Sequence, residues 1–499
     1  MGSRDRAASQ VRPVDGGGAL GREVWIPALV VVVGMIMAIL DTTIVNVALD
    51  TLGRDLDTPL TSVQWVTTGY LLAMAVVVPA TGWAVDRFGA KSVWMVSIAL
   101  FVCGSALSGA AWNITSLIVF RILQGLGGGM LQPVGQTILA RAAGPDRMGR
   151  VMSVIGVPML LGPVFGPVLG GWLVQDVGWR WIFYVNVPIG VIALLLAARL
   201  LPRTDAYRTT GRLDTVGMAL LSTGLALVVY GLSTAGTNGS FTNATTVGWT
   251  GGGLVLVAVF CLYSLGKGPS AVIDVRLFAN RVFSAAAVTG FLVSVGLFGG
   301  MLLLPLYYQV VRGEGALTAG LLLAPQGLGA AAAMPVAGRL TDKIGAGRVV
   351  PVGLLLALLG TFAYTQVGTD TSYWLLAIAL FVRGMGLGST MMPTVAAAYA
   401  TLSRAVVPRA TSTYTITRQI GGSFGTALLA VVLSQQIAAE LPASATSSTS
   451  NIGAIPSAVR EHAAPALANA FGQTFWVAFG LTAAALVPAA FLPRKHARK

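Results

Sequence analysis

The chain has 499 residues, of which 55% are hydrophobic and only 10% charged, and its mean hydropathy is +0.77. Soluble domains carry roughly 25% charged residues, so this composition excludes a soluble globular protein and implies an integral membrane one. The formal net charge of +14 invites a nucleic-acid reading, which the placement of the charges argues against.

Residues 1–23 are rich in Arg, Gly and Ser and read as a disordered tail. Apolar blocks then recur, each long enough to cross a hydrocarbon core of ~30 Å. Fourteen are predicted, numbered helix 1 to helix 14. The first seven are 24–49, 61–85, 92–112, 114–139, 149–174, 179–201 and 214–234. The second seven are 249–266, 283–311, 316–338, 349–368, 372–398, 409–436 and 468–492. Helix 1 is too long and continuous for a cleaved signal peptide and reads as a retained anchor. With the N-terminus in the cytoplasm, twenty-five of the 32 Lys and Arg fall on the cytoplasmic side. Four lie outside (Arg54, Arg180, Arg312, Arg460) and three within helices (Arg121, Arg383, Arg418). Every loop then obeys the positive-inside rule, with both termini cytoplasmic. The basic balance reports topology and contact with anionic headgroups, not nucleic-acid binding.

Asp41 lies seventeen residues into helix 1, in an otherwise uncharged run. A carboxylate at that depth costs about 2.5–3.5 kcal/mol on insertion scales and is retained when paired, hydrated or periodically protonated. Arg121 enters helix 4 from the outer side, and at 1.5 Å per residue both groups sit ~10–12 Å below the outer boundary. Equal depth allows a buried pair, in which the opposite charge favours ionisation and desolvation opposes it. Such an acid can take up and release a proton, or it can form a permanent structural ion pair. Helix 5 carries Gly162, Gly166 and Gly170 at every fourth position, a face for close helix packing, with Pro163 and Pro167 bending it.

Two segments repeat. The loop after helix 2 reads Gly82-Trp-Ala-Val-Asp86-Arg87-Phe-Gly89-Ala-Lys91, and the loop after helix 10 contains Gly338, Asp342, Lys343, Gly345 and Arg348 at nearly the same spacing. Glycine-rich runs recur at Gln124-Gly125-Leu-Gly127 in helix 4 and Arg383-Gly384-Met-Gly386 in helix 12. Two six-helix halves, helices 1–6 and 9–14, therefore flank an extra pair, helices 7 and 8. Parallel repeats around a midplane cavity are a transporter architecture. The implied division is 24–201 and 282–492 for the two bundles, 202–281 for the linker with two helices, and 493–499 for a basic tail.

Five stretches resemble motifs of the major facilitator superfamily, in its fourteen-helix drug:proton antiporter branch. They are Leu40-Asp41-Thr-Thr-Ile-Val-Asn46 in helix 1, the loop 82–91, and Arg121-Ile-Leu-Gln124-Gly125 in helix 4. The others are Gly162-Pro163-Val-Phe-Gly166-Pro167-Val-Leu-Gly170-Gly171 in helix 5 and Arg418-Gln419-Ile-Gly421-Gly422-Ser423-Phe-Gly425 in helix 13. Trp179-Arg180-Trp181 with Asn186-Val-Pro188 also fits, and the likeness spans roughly 25–490. Asp50 departs from the pattern, which usually has Pro there. The resemblance implies an all-α membrane fold of two six-helix bundles plus two central helices. It further implies proton coupling through Asp41 and Arg121, and a cytoplasmic gate latch at Gly82, Asp86, Arg87, Gly89, Lys91, Asp342 and Lys343. The helix-5 pattern would mark antiporters.

Arg383 and Arg418 lie near mid-depth with no acid at similar depth in the C-terminal half. Their side chains are expected to bond helix carbonyls or waters; the sharper alternatives are anionic lipid or substrate groups, or a place in the proton path. Three embedded Arg against one deep acid argue against a dication specialist. Asn46, Gln64, Trp65, Tyr70, Gln124, Tyr307, Tyr308, Gln309 and Gln326 could line a cavity for amphipathic molecules, although Trp65 and Tyr307–Tyr308 also suit interfacial belts. Gly421-Gly-Ser423-Phe-Gly425 matches a hydrolase elbow only literally, since it lies within a membrane helix. Cys103 and Cys261 form no framework and are expected to serve packing. No metal cluster, cofactor site or ATPase motif is present.

The expectation is a proton-coupled exporter of lipophilic small molecules, including drugs, in the cytoplasmic membrane, acting as a monomer among lipids. Export of one endogenous metabolite, peptide or lipid is the alternative. A channel would need charge rings or a filter loop and a receptor a sizeable soluble domain, neither of which is seen.

Overall fold

The computed structural model describes residues 22–58, 60–63, 65–143, 147, 150–152, 166, 169–202, 214–268, 271–403, 406–440 and 457–494. Among them every regular element is helical. Twelve helices are long and apolar enough to cross a membrane, or thirteen if the bent pair Trp65–Val77 and Ala80–Phe88 is one span. Helix 1 is Arg22–Asp55, helix 2 the bent pair, helix 3 Ala90–Gly109 and helix 4 Ile114–Ala143. Helix 5 is described only at 150–152, at 166 and from 169 to 177, and helix 6 covers Trp181–Leu200. Helices 7 and 8 are Thr215–Asn238 and Ala244–Lys267. The last six are Arg281–Val311, Thr318–Ile344, Ala346–Thr365, Tyr373–Tyr399, Val407–Glu440 and a final helix that begins at Ser457.

Local chemistry explains the breaks. Helix 2 bends by 56° at Val78–Pro79, where proline cannot donate to the preceding turn. Gly89 and Gly345 end helices 2 and 10 with φ of 81° and 86°, a backbone region glycine enters without steric cost. Asp214, Asn243 and Asn280 cap helices 7, 8 and 9 by accepting from Gly217, Thr245 and Val282 amides, each cap worth ~1 kcal/mol. Several boundaries differ from expectation, among them those of helices 1, 8, 10 and 14. Helix 1 runs six residues past its predicted end at 49, because Asp50 does not interrupt it as Pro would. Helix 14 begins well before 468, through an alanine-rich segment of high helix propensity.

Helix 4 packs on helices 1, 2 and 3, and helix 6 on 1 and 3; helix 12 packs on 9, 10 and 11, and helix 14 on 9, 11 and 13. Helix 7 lies against helices 2 and 13, with helix 8 outside it. The glycine-rich runs set the close crossings in parallel fashion. Gly125 and Gly129 meet helix 2 and Gly127 helix 3, whereas Gly384 and Gly388 meet helix 10 and Gly386 helix 11.

The apolar cores divide unevenly. At the face carrying the Gly89 and Gly345 turns, one core runs through both helix sets, joining Val31, Trp94 and Leu139 to Phe283, Met391 and Tyr414. Toward the opposite face it gives way to two separate cores, one around Ile44, Leu117 and Phe183 and one around Tyr307, Tyr364 and Phe471. The two halves are thus closed together at the turn face and part at the other. Large apolar side chains such as Leu262, Trp374 and Phe491 remain exposed on the outside, as a lipid-facing surface requires.

Candidate functional site

Helices 1, 3, 4 and 6 bring one buried polar cluster together. Arg121 Nη1 lies 2.7 Å from Asp41 Oδ2, and both side chains are fully buried. Gln124, one turn along helix 4, accepts from the same Arg121 nitrogen at 2.7 Å and donates through Nε2 to Asp41 Oδ1 at 2.8 Å. Asn186 Nδ2 donates to Asp41 Oδ1 at 3.0 Å and also lies 3.1 Å from Ser105 Oγ, which donates to the Phe183 carbonyl. Arg121 is further held by the Val66 carbonyl at 3.2 Å and by the Tyr70 ring, 4.1 Å below its guanidinium. The carboxylate therefore receives three donors, one of them charged, and charge-assisted bonds of this kind are the strong ones. Arg121 Nη2, Asn186 Oδ1 and the Tyr70 hydroxyl are buried without a partner among the described residues. Glycines make the cluster possible. A methyl at Gly104 would come within 2.6 Å of the Gln124 backbone, and one at Gly128 within 2.8 Å of the Tyr70 hydroxyl.

A second pair of sites lies at the turn face. Asp86 Oδ2 is 3.5 Å from Arg409 Nε, at the start of helix 13, and Asp342 Oδ2 is 3.0 Å from Arg150 Nε, at the start of helix 5. Each repeat's acid thus reaches a base in the other repeat. A methyl at Gly82 would meet Arg409 Cα at 3.2 Å, so this glycine sets how closely helix 13 approaches. Lys91 closes the end of helix 6, donating to the Ala198 and Leu201 carbonyls at 2.7 and 2.6 Å. Arg87 and Lys343 point outward and are exposed. Thr137 and Thr411 (2.9 Å), and Tyr399 and Gln136 (3.0 Å), join helix 4 to helices 13 and 12 nearby.

Residues 31–426 match the Major Facilitator Superfamily. The chain belongs to that superfamily. It is 42% identical to a multidrug resistance protein B homolog of Mycobacterium tuberculosis, over 94% of this chain and 90% of that protein. It is 30% identical to the tetracenomycin C resistance and export protein of Streptomyces glaucescens, over 84% of this chain and 77% of that protein. Among solved structures it shares its fold with the proton:xylose symporter XylE, with a TM-score of 0.61, 15% identity and coverage of 95% and 97%. The superfamily comprises transporters, so the protein is a transporter of the cell membrane and not an enzyme.

Within this superfamily member the remaining predicted site residues fall into distinct places. A methyl at Gly170 would come within 3.1 Å of Ile44, and one at Gly166 would clash with Thr43, which puts helix 5 against helix 1 beside Asp41, while Gly171 faces open space. Gly162, Pro163, Pro167 and Gln64 lie outside the described residues, as does the side chain of Asn46. Tyr70 and Gln124 belong to the Asp41 cluster. Trp65 is exposed on helix 2 and stacks on Tyr230 of helix 7, which in turn meets Trp249 of helix 8. Tyr307 and Tyr308 are buried in the core at the C-terminal end of helix 9. Their rings pack with Tyr364 and Phe471, and their hydroxyls bond the Gly368 carbonyl at 2.8 Å and Tyr364 at 3.0 Å. Gln309, beside them, is half-buried. Arg383 bonds Gln326 and the Gly296 carbonyl, and Arg418 reaches Ser294 Oγ at 3.4 Å. Gly421, Gly422 and Gly425 press helix 13 on helix 9 at Phe291, Phe298 and Val295, so the serine motif is packing. Cys103 is exposed, not packed, and Cys261 is half-buried.

Sequence reasoning missed Ser105, Arg150 and Arg409 and gave Asn186 no role. The bases could have been found, since 150 and 409 occupy matching positions in the two repeats, at the starts of helices 5 and 13. Ser105 carries no signal in sequence.

Proposed function

We propose that this protein is a proton-coupled antiporter that exports lipophilic small molecules by alternating access. The observation that carries the reading is the fully buried Asp41–Arg121 pair with Gln124 and Asn186 bonded to the same carboxylate. Two unit charges ~4 Å apart attract by about 4 kcal/mol at an effective dielectric of 20. Protonation of Asp41 removes that attraction and leaves Arg121 uncompensated in a dry site, which favours rearrangement of helices 1 and 4. Arg121 Nη2, Asn186 Oδ1 and the Tyr70 hydroxyl, unpartnered on residues that touch this cluster, could bond a passing water. The turn face is cytoplasmic in this reading, because the basic loops lie there. The Asp86–Arg409 and Asp342–Arg150 pairs then act as twin latches on a cytoplasmically closed, outward-facing state. Helices 1–6 and 9–14 form the two moving bundles, with helices 7 and 8 inserted between them, and one chain suffices for transport. The multidrug resistance and antibiotic export names of the relatives favour lipophilic drugs as cargo.

The test is efflux from proteoliposomes under an imposed pH gradient, screened with dyes, antibiotics and lipids. Wild type should expel substrate when the gradient is applied, and Asp41→Asn should lose that response while still binding substrate. Undiminished gradient-driven efflux in Asp41→Asn would remove the coupling role.

A further inference from the structure

Helix 13 carries a buried charge that the proton site does not use. Arg418 lies eleven residues from Val407, hence ~16 Å along the helix from the turn face, and is only 7% exposed. Its Nε reaches Ser294 Oγ at 3.4 Å, and its Nη1 is buried with no partner among the described residues. One turn earlier, Thr415 Oγ1 is also buried and unpartnered. No described carboxylate pairs with Arg418, and the acids of the C-terminal half, such as Glu314, Asp342, Asp370 and Glu440, lie toward helix ends. An isolated buried guanidinium costs several kcal/mol unless something compensates it. The face tells where compensation would come from. Thr411, Thr415 and Arg418 share one stripe of helix 13 at helical spacing, and Thr411 already touches Thr137 of helix 4 across the closed contact. Thr415 and Arg418 therefore come next along that stripe beyond the cross-bundle contact, with Arg418 against Ser294 of helix 9.

We propose that Arg418, with Thr415, binds a single anionic oxygen group, a carboxylate or equivalent oxyanion, on an amphipathic substrate. A guanidinium offers a rigid fork of donors matched to a carboxylate, and the threonine hydroxyl adds a third donor. The cargo class is thus lipophilic monoanions and zwitterions. Its role in export rests on the transporter reading above, but binding is measured without any proton gradient, so the two fail separately.

The experiment uses the full chain in phosphatidylcholine nanodiscs, titrated with 1-pyrenebutyrate and with its uncharged methyl ester, read by energy transfer from tryptophan. Wild type should bind the carboxylate at least ~10-fold more tightly than the ester, about 1.4 kcal/mol. Arg418→Gln should abolish the difference, Arg418→Lys should keep part of it, and Thr415→Val should reduce it. Arg418→Gln should also unfold no earlier than wild type, because it removes an uncompensated charge. Equal affinity for acid and ester in wild type, or a preference that survives in Arg418→Gln, would overturn the assignment. Loss of the preference on exchanging phosphatidylcholine for phosphatidylglycerol would give the site to a lipid headgroup and overturn the substrate assignment.

Discussion

Replacing Asp41 by Asn, Arg121 by Gln, and both together measures the pair at the centre of the proposed coupling. In the single variant Asp41→Asn, Arg121 stays fully buried but loses its counter-charge at 2.7 Å. Removing one partner of a buried pair costs about 3–5 kcal/mol. Arg121 keeps the Gln124 side chain, the Val66 carbonyl and the Tyr70 ring, so the expected loss is at the low end, about 3 kcal/mol. Arg121→Gln strands the carboxylate, which retains the Gln124 and Asn186 amides, and should cost a similar amount. The double variant buries no charge at all. Its loss should fall ~2–3 kcal/mol short of the sum of the singles. Unfolding by dodecyl sulfate titration in mixed micelles gives the three values, and gradient-driven efflux is followed in the same preparations. Additive losses, within about 0.5 kcal/mol, would refute energetic pairing. A double variant that regains gradient-driven efflux would refute the proton role while leaving the pair intact.

The two cross-bundle pairs, if they latch the turn face as proposed, should act together. Asp86→Asn and Asp342→Asn each weaken a partly exposed cross-bundle pair by about 1–2 kcal/mol, between the surface and buried limits, and the double variant should shift spin-label distances between the turn-face ends of helices 2 and 13 toward separation. Unchanged distance distributions would count against a latch, as would failure of Asp86→Arg with Arg409→Asp to restore the closed population. Gly89→Ala and Gly345→Ala force φ near +80° on a residue with a Cβ, so each should lower stability by roughly 1–2 kcal/mol; a thermal midpoint equal to wild type would contradict this. Asp214, outside the helix it caps, is buried, which raises its pKa. Bonds from Lys267, the Gly217 amide, Tyr263 and the Val272 amide outweigh that and hold it below the ordinary carboxylate value. A depressed folded pKa stabilises above the unfolded value of about 3.9 and stops doing so as pH falls through the lower one. Asp214→Asn should therefore destabilise at pH 7, with the gap to wild type closing below about pH 4; a gap independent of pH would exclude the charge as its cause.

Sequence by itself determined the membrane class and most of the helix positions, because lipid demands long apolar helices, and it showed glycines and acids recurring at matching spacing. It also brought Asp41 and Arg121 to one depth, since rise per residue is fixed along a helix. Tertiary structure alone decided what each side chain meets. It added Gln124, Asn186 and Ser105 around Asp41, although nothing in local sequence says which helices adjoin helix 1. It paired Asp86 and Asp342 with Arg409 and Arg150, partners that come from the opposite repeat and are not adjacent in sequence. It buried Tyr307 and Tyr308 in a core with Tyr364 and Phe471 and stacked Trp65 on helix 7, contacts that sequence does not reveal, since an aromatic at a helix end serves lipid, packing or ligand equally well. And it left Arg418 buried without a counter-ion among the described residues: burial and partnership are properties of the assembled helices, not of any one of them.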